Sequence, residues 1–551
     1  MLALARIMTP LLLVAALLSA CGGGSLAGSA GAPTNLPVER QAGASTAPAA
    51  PLATSAPAAT VVAAAEAPAQ ALAPQPGIRE DTAAAAQQPG AKNENTQPGQ
   101  APNAPPADIA WTAADHLSTF AMDVDTASYR ASKRYIDSGQ LPPAEMVRTE
   151  EFVNAFDYGY QNPEDTFGIT LDAAPLPYGR ADARLVRIGI QGHAIPDEQR
   201  QPATLTFVID VSGSMQQPDR LPLVQQTLRM LVEKLRNEDK VGIVVYGSEA
   251  RVLVEPVGIA EGNGRERLLQ AIDSLGDEGS TNAEAGLRLA YQQASASFRP
   301  DTSNRVILCS DGVANVGQTG PDAILQSIRG YANDGIYLTT IGFGMGDYND
   351  QLMEQLANDG NGNYAYVSDL DEAWRVFGQN LTGSLQVIAK DAKIQVSFNP
   401  AVVTAYRLLG YENRAIADQD FRNDRVDAGE IGAGHSVTAL YEVLVNQPGI
   451  EDVLTVRVRY AEPGNGEVHE LSKTLPQSGL YANFLETPAN MRLAATAAYF
   501  AETLKQNPQS ENRSWAELRR IADDAARSMP KHPGAHELQQ LIEHASQLQG
   551  W

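Results

Sequence analysis

The chain has 551 residues, of which 43% are hydrophobic, and its formal net charge is −24 at pH 7. The length predicts roughly two to four domains, and the acidic charge, without any run of lysine and arginine, argues against nucleic-acid binding because phosphates would be repelled. The two cysteines, Cys21 and Cys309, are too few for a disulfide framework or a cysteine-rich zinc site, and Cys309 is expected in a buried strand.

The first 20 residues are typical of a secretion signal. Arg6 precedes the apolar run 11–18, which is shorter than a membrane-spanning helix needs. The Leu-Ser-Ala-Cys sequence at 18–21 resembles the lipobox of bacterial lipoproteins, and the resemblance implies cleavage before Cys21 and acylation of that residue. Gly22, rather than aspartate, follows the cysteine, which by the same resemblance favours the outer membrane. A plain secretion signal with an incidental cysteine is the alternative.

Residues 21–107 are predicted to form a disordered tether. They are mostly Ala, Pro, Gly, Ser, Thr and Gln, with almost no aromatic residues. Such a segment cannot bury enough apolar area to offset its chain entropy. At about 3.3 Å per residue, the fully extended tether would reach more than about 200 Å, so the folded part could lie far from its lipid anchor.

Residues 108–200 are predicted to contain two helices followed by strands. The first helix follows the segment 118–129, and the second is expected at Glu145–Phe156, after a Gly-Gln-Leu-Pro-Pro turn. Strands are expected at Phe167–Ala173 and Ala183–Gln191.

Asp123 and Asp125 precede the first of these helices. Their spacing is similar to the Asp-x-Asp-x-Thr of phosphoryl-transfer enzymes, but the fifth position is Ala127 and no doubly wound domain follows at the right point. Capping of the next helix is the preferred interpretation. The role of the pair is left open.

Strands and helices alternate through residues 203–380. The strands are expected at Thr204–Asp210, Lys240–Tyr246, Val306–Ser310 and Ile336–Ile341. The helices are expected at Leu221–Arg236, Arg265–Leu275, Ala283–Ala296, Pro321–Ala332 and Asn349–Ala357. This alternation predicts a doubly wound, Rossmann-like α/β domain with a largely parallel sheet covered by helices on both faces.

Oxygen-bearing side chains follow two of these strands and open one helix. They are Asp210, Ser212, Ser214, Thr281 and Asp311. Ligands of such sheets collect at the carboxyl ends of the strands, so the three loops are expected to meet at one edge. Two carboxylates and three hydroxyls suit a hard divalent cation, with Mg²⁺ expected and Mn²⁺ or Ca²⁺ as alternatives, and offer nothing to zinc or copper. Because hydroxyls are neutral, the ion would keep much of its charge and could accept a carboxylate from a partner.

Residues 381–480 are predicted to be β-rich and residues 481–551 helical. The strands are expected at Ala392–Phe398, Ser436–Val445 and Asp452–Tyr460. We hypothesise that they form one β-sandwich with the strands that precede residue 203, with the metal-binding domain inserted. In the helical region, Pro488–Lys505 has an apolar face and Ser514 opens a further helix with a capping box.

The three metal loops resemble those of the von Willebrand factor type A (VWA) domain and its metal-ion-dependent adhesion site. The Asp-x-Ser-x-Ser of that family falls on Asp210, Ser212 and Ser214, its threonine on Thr281 and its second aspartate on Asp311. The resemblance implies that these residues bind the metal. It also implies that the last helix of the domain, here 369–381, moves when an acidic ligand arrives.

Most of the chain also resembles one family of bacterial VWA proteins, the YfbK family. The resemblance runs from 118 to 549 and rests on segment 123–129 with the turn at 139–143, and on segments 410–413 and 427–435. It is specific for the family and says little about function.

The sequence therefore predicts a cell-envelope lipoprotein that is not an enzyme. It would capture a protein partner presenting an acidic residue, in an adhesion or scaffolding role, and attach to the membrane through its lipid anchor. One alternative is a metal-assisted hydrolase, but none of the seven histidines stands in the three metal loops. The other is a structural envelope protein whose metal only stabilises the fold.

Overall fold

A computed structural model describes most of the chain after residue 108. The described residues are 109–122, 126–177, 182–312, 321–344, 350–379, 381–426, 428–446, 451–505 and 514–550. The predicted signal, Cys21, the tether, Asp123 and Asp125 lie outside them and stay predictions. Within these ranges, no helix has both the length and the apolar character needed to cross a membrane.

The strands are numbered in chain order. They are β1 (Ala110–Trp111), β2 (Leu117–Ala121), β3 (Phe167–Pro175), β4 (Ala183–Gly192), β5 (Ala203–Asp210), β6 (Lys240–Tyr246), β7 (Ala250–Gly258), β8 (Ser303–Ser310), β9 (Ile336–Phe343), β10 (Tyr364–Val367), β11 (Val387–Phe398), β12 (Val403–Leu408), β13 (Gly429–Gly432), β14 (Ser436–Val445), β15 (Asp452–Ala461) and β16 (Val468–Pro476).

The helices are numbered in the same way. They are α1 (Ala127–Asp137), α2 (Thr149–Val153), α3 (Leu221–Lys234), α4 (Gly264–Asp273), α5 (Ala283–Ala296), α6 (Pro321–Asn333), α7 (Asp350–Asp359), α8 (Leu370–Trp374), α9 (Leu381–Leu385), α10 (Ala489–Leu504), α11 (Trp515–Ser528) and α12 (Pro533–Leu548).

The central sheet has the strand order β10-β9-β8-β5-β6-β7. All neighbours are parallel except the edge strand β7, which runs antiparallel to β6. Strands β5 and β8 are buried along their whole length, as expected for strands covered on both faces. Phe207 packs into the core on one side of the sheet and Val208 into the core on the other. The predicted doubly wound α/β domain is confirmed, and Cys309 lies buried in β8 as expected.

Strands from both sides of the central domain pair with one another. In one sheet, of order β1-β12-β14-β4-β3, Val186 on β4 lies opposite Tyr441 on β14. A second sheet contains β13, β11, β15 and β16, with β2 paired to β11. The two sheets share one apolar core that includes Ile188, Ile394 and Val456. The hypothesis that the two flanks build a common β-structure is therefore confirmed.

Helices from the two ends of the described chain share another core. Tyr129 and Phe152, from α1 and α2, pack there with Phe500 and Trp515, from α10 and α11. The predicted capping box is present, since Ser514 Oγ accepts a hydrogen bond from the backbone N–H of the third residue of α11 at 3.2 Å.

Two predicted helices differ from those observed. At Glu145–Phe156 the chain forms a 3₁₀ turn, an extended link and the short helix α2, because the N–H of Arg148 donates to Ser128 Oγ at 2.9 Å instead of continuing a helix. The last helix of the central domain, expected at 369–381, is α8 followed by a turn of π-helix at 375–379. The spacing of apolar residues along the sequence does not predict either of these two differences.

Candidate metal site

Asp210 ends β5 and is fully buried at the carboxyl edge of the central sheet. Its Oδ1 accepts the N–H of Ser212 at 2.9 Å, and its Oδ2 accepts the hydroxyls of Ser310 at 2.8 Å and Tyr246 at 3.2 Å. Burial raises the pKa of Asp210 above its usual value, against the opposing effect of hydrogen bonds from Ser212 and Ser310. These donors orient the carboxylate but bring no positive charge to it.

Ser212 and Ser214 lie in the turn that follows Asp210. Their hydroxyl oxygens are 3.1 Å apart, with Ser212 buried and Ser214 exposed. The turn is a short 3₁₀ segment, Gly213–Gln216, and Met215 anchors it in the core below the sheet edge. Two neutral hydroxyls are thereby placed side by side, one of them facing solvent.

The loop that carries Thr281 is fixed to this turn by the main chain. The N–H of Gly213 donates to Gly279 O at 3.0 Å, and the N–H of Asn282 donates to Gly247 O at 2.9 Å. Gly279 has φ +74°, and a Cβ there would lie 2.3 Å from Ser248 Oγ, so any other residue would be strained at this position. Thr281 is half-buried and directly precedes Asn282, whose side chain caps α5. The first and second predicted loops therefore meet.

Asp311 follows β8, next to the Ser310 that contacts Asp210. Its Oδ2 accepts a hydrogen bond from Nη1 of Arg220, which also donates to the backbone O of Ser214 at 2.8 Å. The arginine side chain packs on Gly344 at the end of β9, where a Cβ would come within 2.5 Å of it. The third predicted loop thus joins the other two, through a residue that sequence reasoning missed. In the sequence, Arg220 is marked only by its positive charge directly before α3.

The donors fit a hard divalent cation. The structure brings to one edge of the sheet the loops that carry all five predicted ligands, Asp210, Ser212, Ser214, Thr281 and Asp311, and each donor atom is an oxygen. Asp210 is a buried carboxylate held by neutral donors, which a nearby cation would stabilise. Binding of an ion by these residues stays a prediction.

Comparison with known protein families agrees with the fold. The family model for the von Willebrand factor type A domain matches residues 204–379, and the model for the C-terminal part of YfbK matches 383–450 and 446–548. A third model, described as von Willebrand factor, matches 103–187. The protein YfbK of Escherichia coli strain K12 is 35% identical over 442 residues, which cover 75% of this chain and 76% of YfbK. The chain belongs to the YfbK family.

More distant relatives share part of the chain. Human inter-alpha-trypsin inhibitor heavy chain H3 is 25% identical over 263 residues, which cover 44% of this YfbK-family chain and 28% of H3. Among solved structures, a von Willebrand factor type A protein from Catenulispora acidiphila aligns with a TM-score of 0.42 at 15% identity, covering 70% of this chain and 91% of that one. The ArnB paralog VWA2 from Sulfolobus acidocaldarius aligns with a TM-score of 0.35 at 16% identity, covering 70% and 98%.

Proposed function

We propose that this YfbK-family protein is a cell-envelope lipoprotein that captures a protein partner through a divalent cation, with Mg²⁺ as the expected ion. Asp210, Ser212, Ser214, Thr281 and Asp311 would hold the ion, directly or through water. The partner would supply a carboxylate from an acidic residue. VWA domains commonly mediate protein interactions, which supports this general role.

The charge balance of the site is the observation that carries the proposal. The two carboxylates, Asp210 and Asp311, would together balance the two positive charges of a divalent ion. Arg220 adds a further positive charge because it donates directly to Asp311. Counted together, these three side chains and a divalent ion would carry one net positive charge, which favours an anionic group, and an ion held partly by neutral hydroxyls can accept one.

Several described residues at this edge of the sheet face solvent, where a partner could reach them. Ser214, Gly279 and Ser280 are exposed, while Asp210 lies fully buried below them. A bound ion would supply a positive charge with a coordination position open to solvent. In the part of the chain that the structure describes, Ser212, Ser310 and Tyr246 hold the buried Asp210, while Ser214 faces solvent.

The proposed role is binding without catalysis. The three loops contain no histidine, and the buried Asp210 carboxylate already accepts three hydrogen bonds. A metal-assisted hydrolase would need a general base or nucleophile positioned beside the ion. Acylation of Cys21 would anchor the protein to a membrane, with the outer membrane as the expected location, and a long tether would allow the folded part to reach away from that anchor.

The test is metal-dependent capture from cell envelopes. The full-length protein would be cross-linked to its neighbours in Mg²⁺ and in EDTA, as wild type, as Thr281→Ala and as Thr474→Ala. Thr474 is an exposed threonine on β16 of the β-structure, so Thr474→Ala is a matched control. We expect the same protein to be captured by wild type and by Thr474→Ala in Mg²⁺ only, and to be lost with Thr281→Ala. Equal capture by all three variants, with or without Mg²⁺, would contradict the proposal.

A further inference from the structure

The hairpin of β15 and β16 carries three side chains that the proposed function does not use. Glu462 and Glu467 lie across from each other where the strands end, since the N–H of Glu462 donates to Glu467 O at 2.8 Å. His469 is two residues beyond Glu467 on β16, and alternate residues of a strand point to the same face. Their ligating atoms lie within 4.8 Å of one another.

We propose that Glu462, Glu467 and His469 form a zinc site at this hairpin, separate from the edge of the central sheet. Two carboxylates and an imidazole form a mixed oxygen and nitrogen set, which suits Zn²⁺ better than Mg²⁺. Three protein ligands would leave a fourth position for water or another ligand.

The distance between His469 and Glu462 is compatible with two ligands of one ion. The distance from Nε2 to Oε1 is 3.0 Å, and yet Nε2 is shielded from solvent and has no aligned hydrogen-bond partner. A hydrogen bond would require the N–H to point at the carboxylate. Two atoms that are each about 2.1 Å from a zinc ion lie about 3.0 to 3.5 Å apart, without pointing at each other.

The surrounding residues hold two of the ligands in place. The imidazole of His469 stacks on the ring of Tyr460, with centroids 5.4 Å apart and planes at 28°. Asn465 Nδ2 donates to Glu462 Oε2 at 2.9 Å and leaves Oε1 facing the histidine. Such outer contacts fix ligand orientation at metal sites.

The two carboxylates at the end of the hairpin would be stabilised by a cation between them. Like charges on directly opposed residues destabilise a strand pair, and here two glutamates close the hairpin. Nε2 of His469 contacts Oε1 of Glu462 at 3.0 Å, and the structure describes no ion pair for Glu467. A divalent ion between the three groups would neutralise both carboxylates.

Calorimetric titration with ZnCl₂ tests the site. The full-length protein, without an affinity tag that binds metal, would be titrated in excess MgCl₂, so that the site at Asp210 is occupied. Wild type would be compared with His469→Ala and Glu467→Gln, and with the control His536→Ala on α12. We expect wild type and His536→Ala to bind one more zinc ion than His469→Ala, and Glu467→Gln to bind it at least about ten-fold more weakly.

X-ray absorption at the zinc edge gives a second readout. We expect one imidazole nitrogen among oxygen ligands at about 2.0 to 2.2 Å from the zinc ion. Equal thermal unfolding of all variants in EDTA would show that the substitutions leave the fold intact. Identical zinc stoichiometry and affinity in wild type, His469→Ala and Glu467→Gln would overturn the proposal and leave a surface ion pair.

Discussion

Arg220 donates a hydrogen bond from Nη1 to Oδ2 of Asp311, and so links the start of α3 to the loop after β8. The same nitrogen donates to Ser214 O at 2.8 Å, and the side chain rests on Gly344. One arginine therefore joins three segments at the carboxyl edge of the sheet. It also sets the charge next to the candidate metal ligands.

Replacing Arg220 by glutamine should destabilise the metal-free protein and strengthen metal binding. Loss of hydrogen bonds to a charged and a backbone group would cost about 1 to 3 kcal/mol of unfolding free energy. Removing the positive charge makes the site more negative, so affinity for Mg²⁺ should rise several-fold. Denaturant unfolding with and without Mg²⁺ measures both effects.

Arg229→Gln is the matched control for this variant. Arg229 pairs with Asp273 on the surface, where both side chains are about half-exposed, so its loss should change stability by less than about 1 kcal/mol. If Arg220→Gln and Arg229→Gln changed stability and Mg²⁺ affinity by the same amounts, Arg220 would have no special role at the sheet edge.

Gly279→Ala should damage the loop that carries Thr281. The residue has φ +74°, and an added Cβ would lie 2.3 Å from Ser248 Oγ. The backbone strain alone should cost about 1 to 2 kcal/mol, and Mg²⁺ affinity should fall as the loop shifts. Gly276→Ala is the control, since no atom lies within 4 Å of its added Cβ. Calorimetry would compare the two, and unchanged Mg²⁺ affinity in Gly279→Ala would show that the loop does not position a ligand.

A pH dependence of stability is expected from Glu150. Its side chain is buried on α2, where Oε2 accepts the N–H of Tyr411 at 3.0 Å. Burial, with the nearby carboxylates of Glu412 and Glu151, raises the pKa of Glu150 from 4.5 to about 7. Because the folded state holds this proton more tightly, the carboxyl stabilises the fold at pH values below its ordinary pKa. This stabilisation is lost as the pH rises through about 7.

Glu150→Gln keeps an acceptor for Tyr411 and removes the charge. Denaturant unfolding at pH 5 and pH 8 should therefore show a smaller loss of stability for Glu150→Gln than for wild type. An identical loss in the two proteins would mean that this carboxyl titrates in its ordinary range.

Much of the central domain could be predicted from the sequence because local pattern determines it. The apolar runs of β5 and β8 are too continuous for half-buried strands, so they predict strands covered on both faces. The helix predicted at Ala283–Ala296 has the observed bounds of α5. The edge strand β7 was missed because it contains Pro256 and is only partly buried.

The features that the sequence does not predict depend on contacts between residues that are distant in the chain. Strand β16 is largely exposed, and its position follows from pairing with β15. The five candidate ligands could be named because each is an oxygen donor placed after a strand or before a helix. Arg220 could not, since only the folded chain brings its guanidinium to Asp311, 91 residues further along the sequence.

The most direct test of the central claim is a calorimetric titration of the full-length protein with MgCl₂, comparing wild type with Asp210→Ala. Asp210 is fully buried at the centre of the candidate site and contacts Ser212, Ser310 and Tyr246. We predict that wild type binds one Mg²⁺ ion that Asp210→Ala does not bind. Equal Mg²⁺ binding by the two proteins, with both folded by circular dichroism, would contradict it.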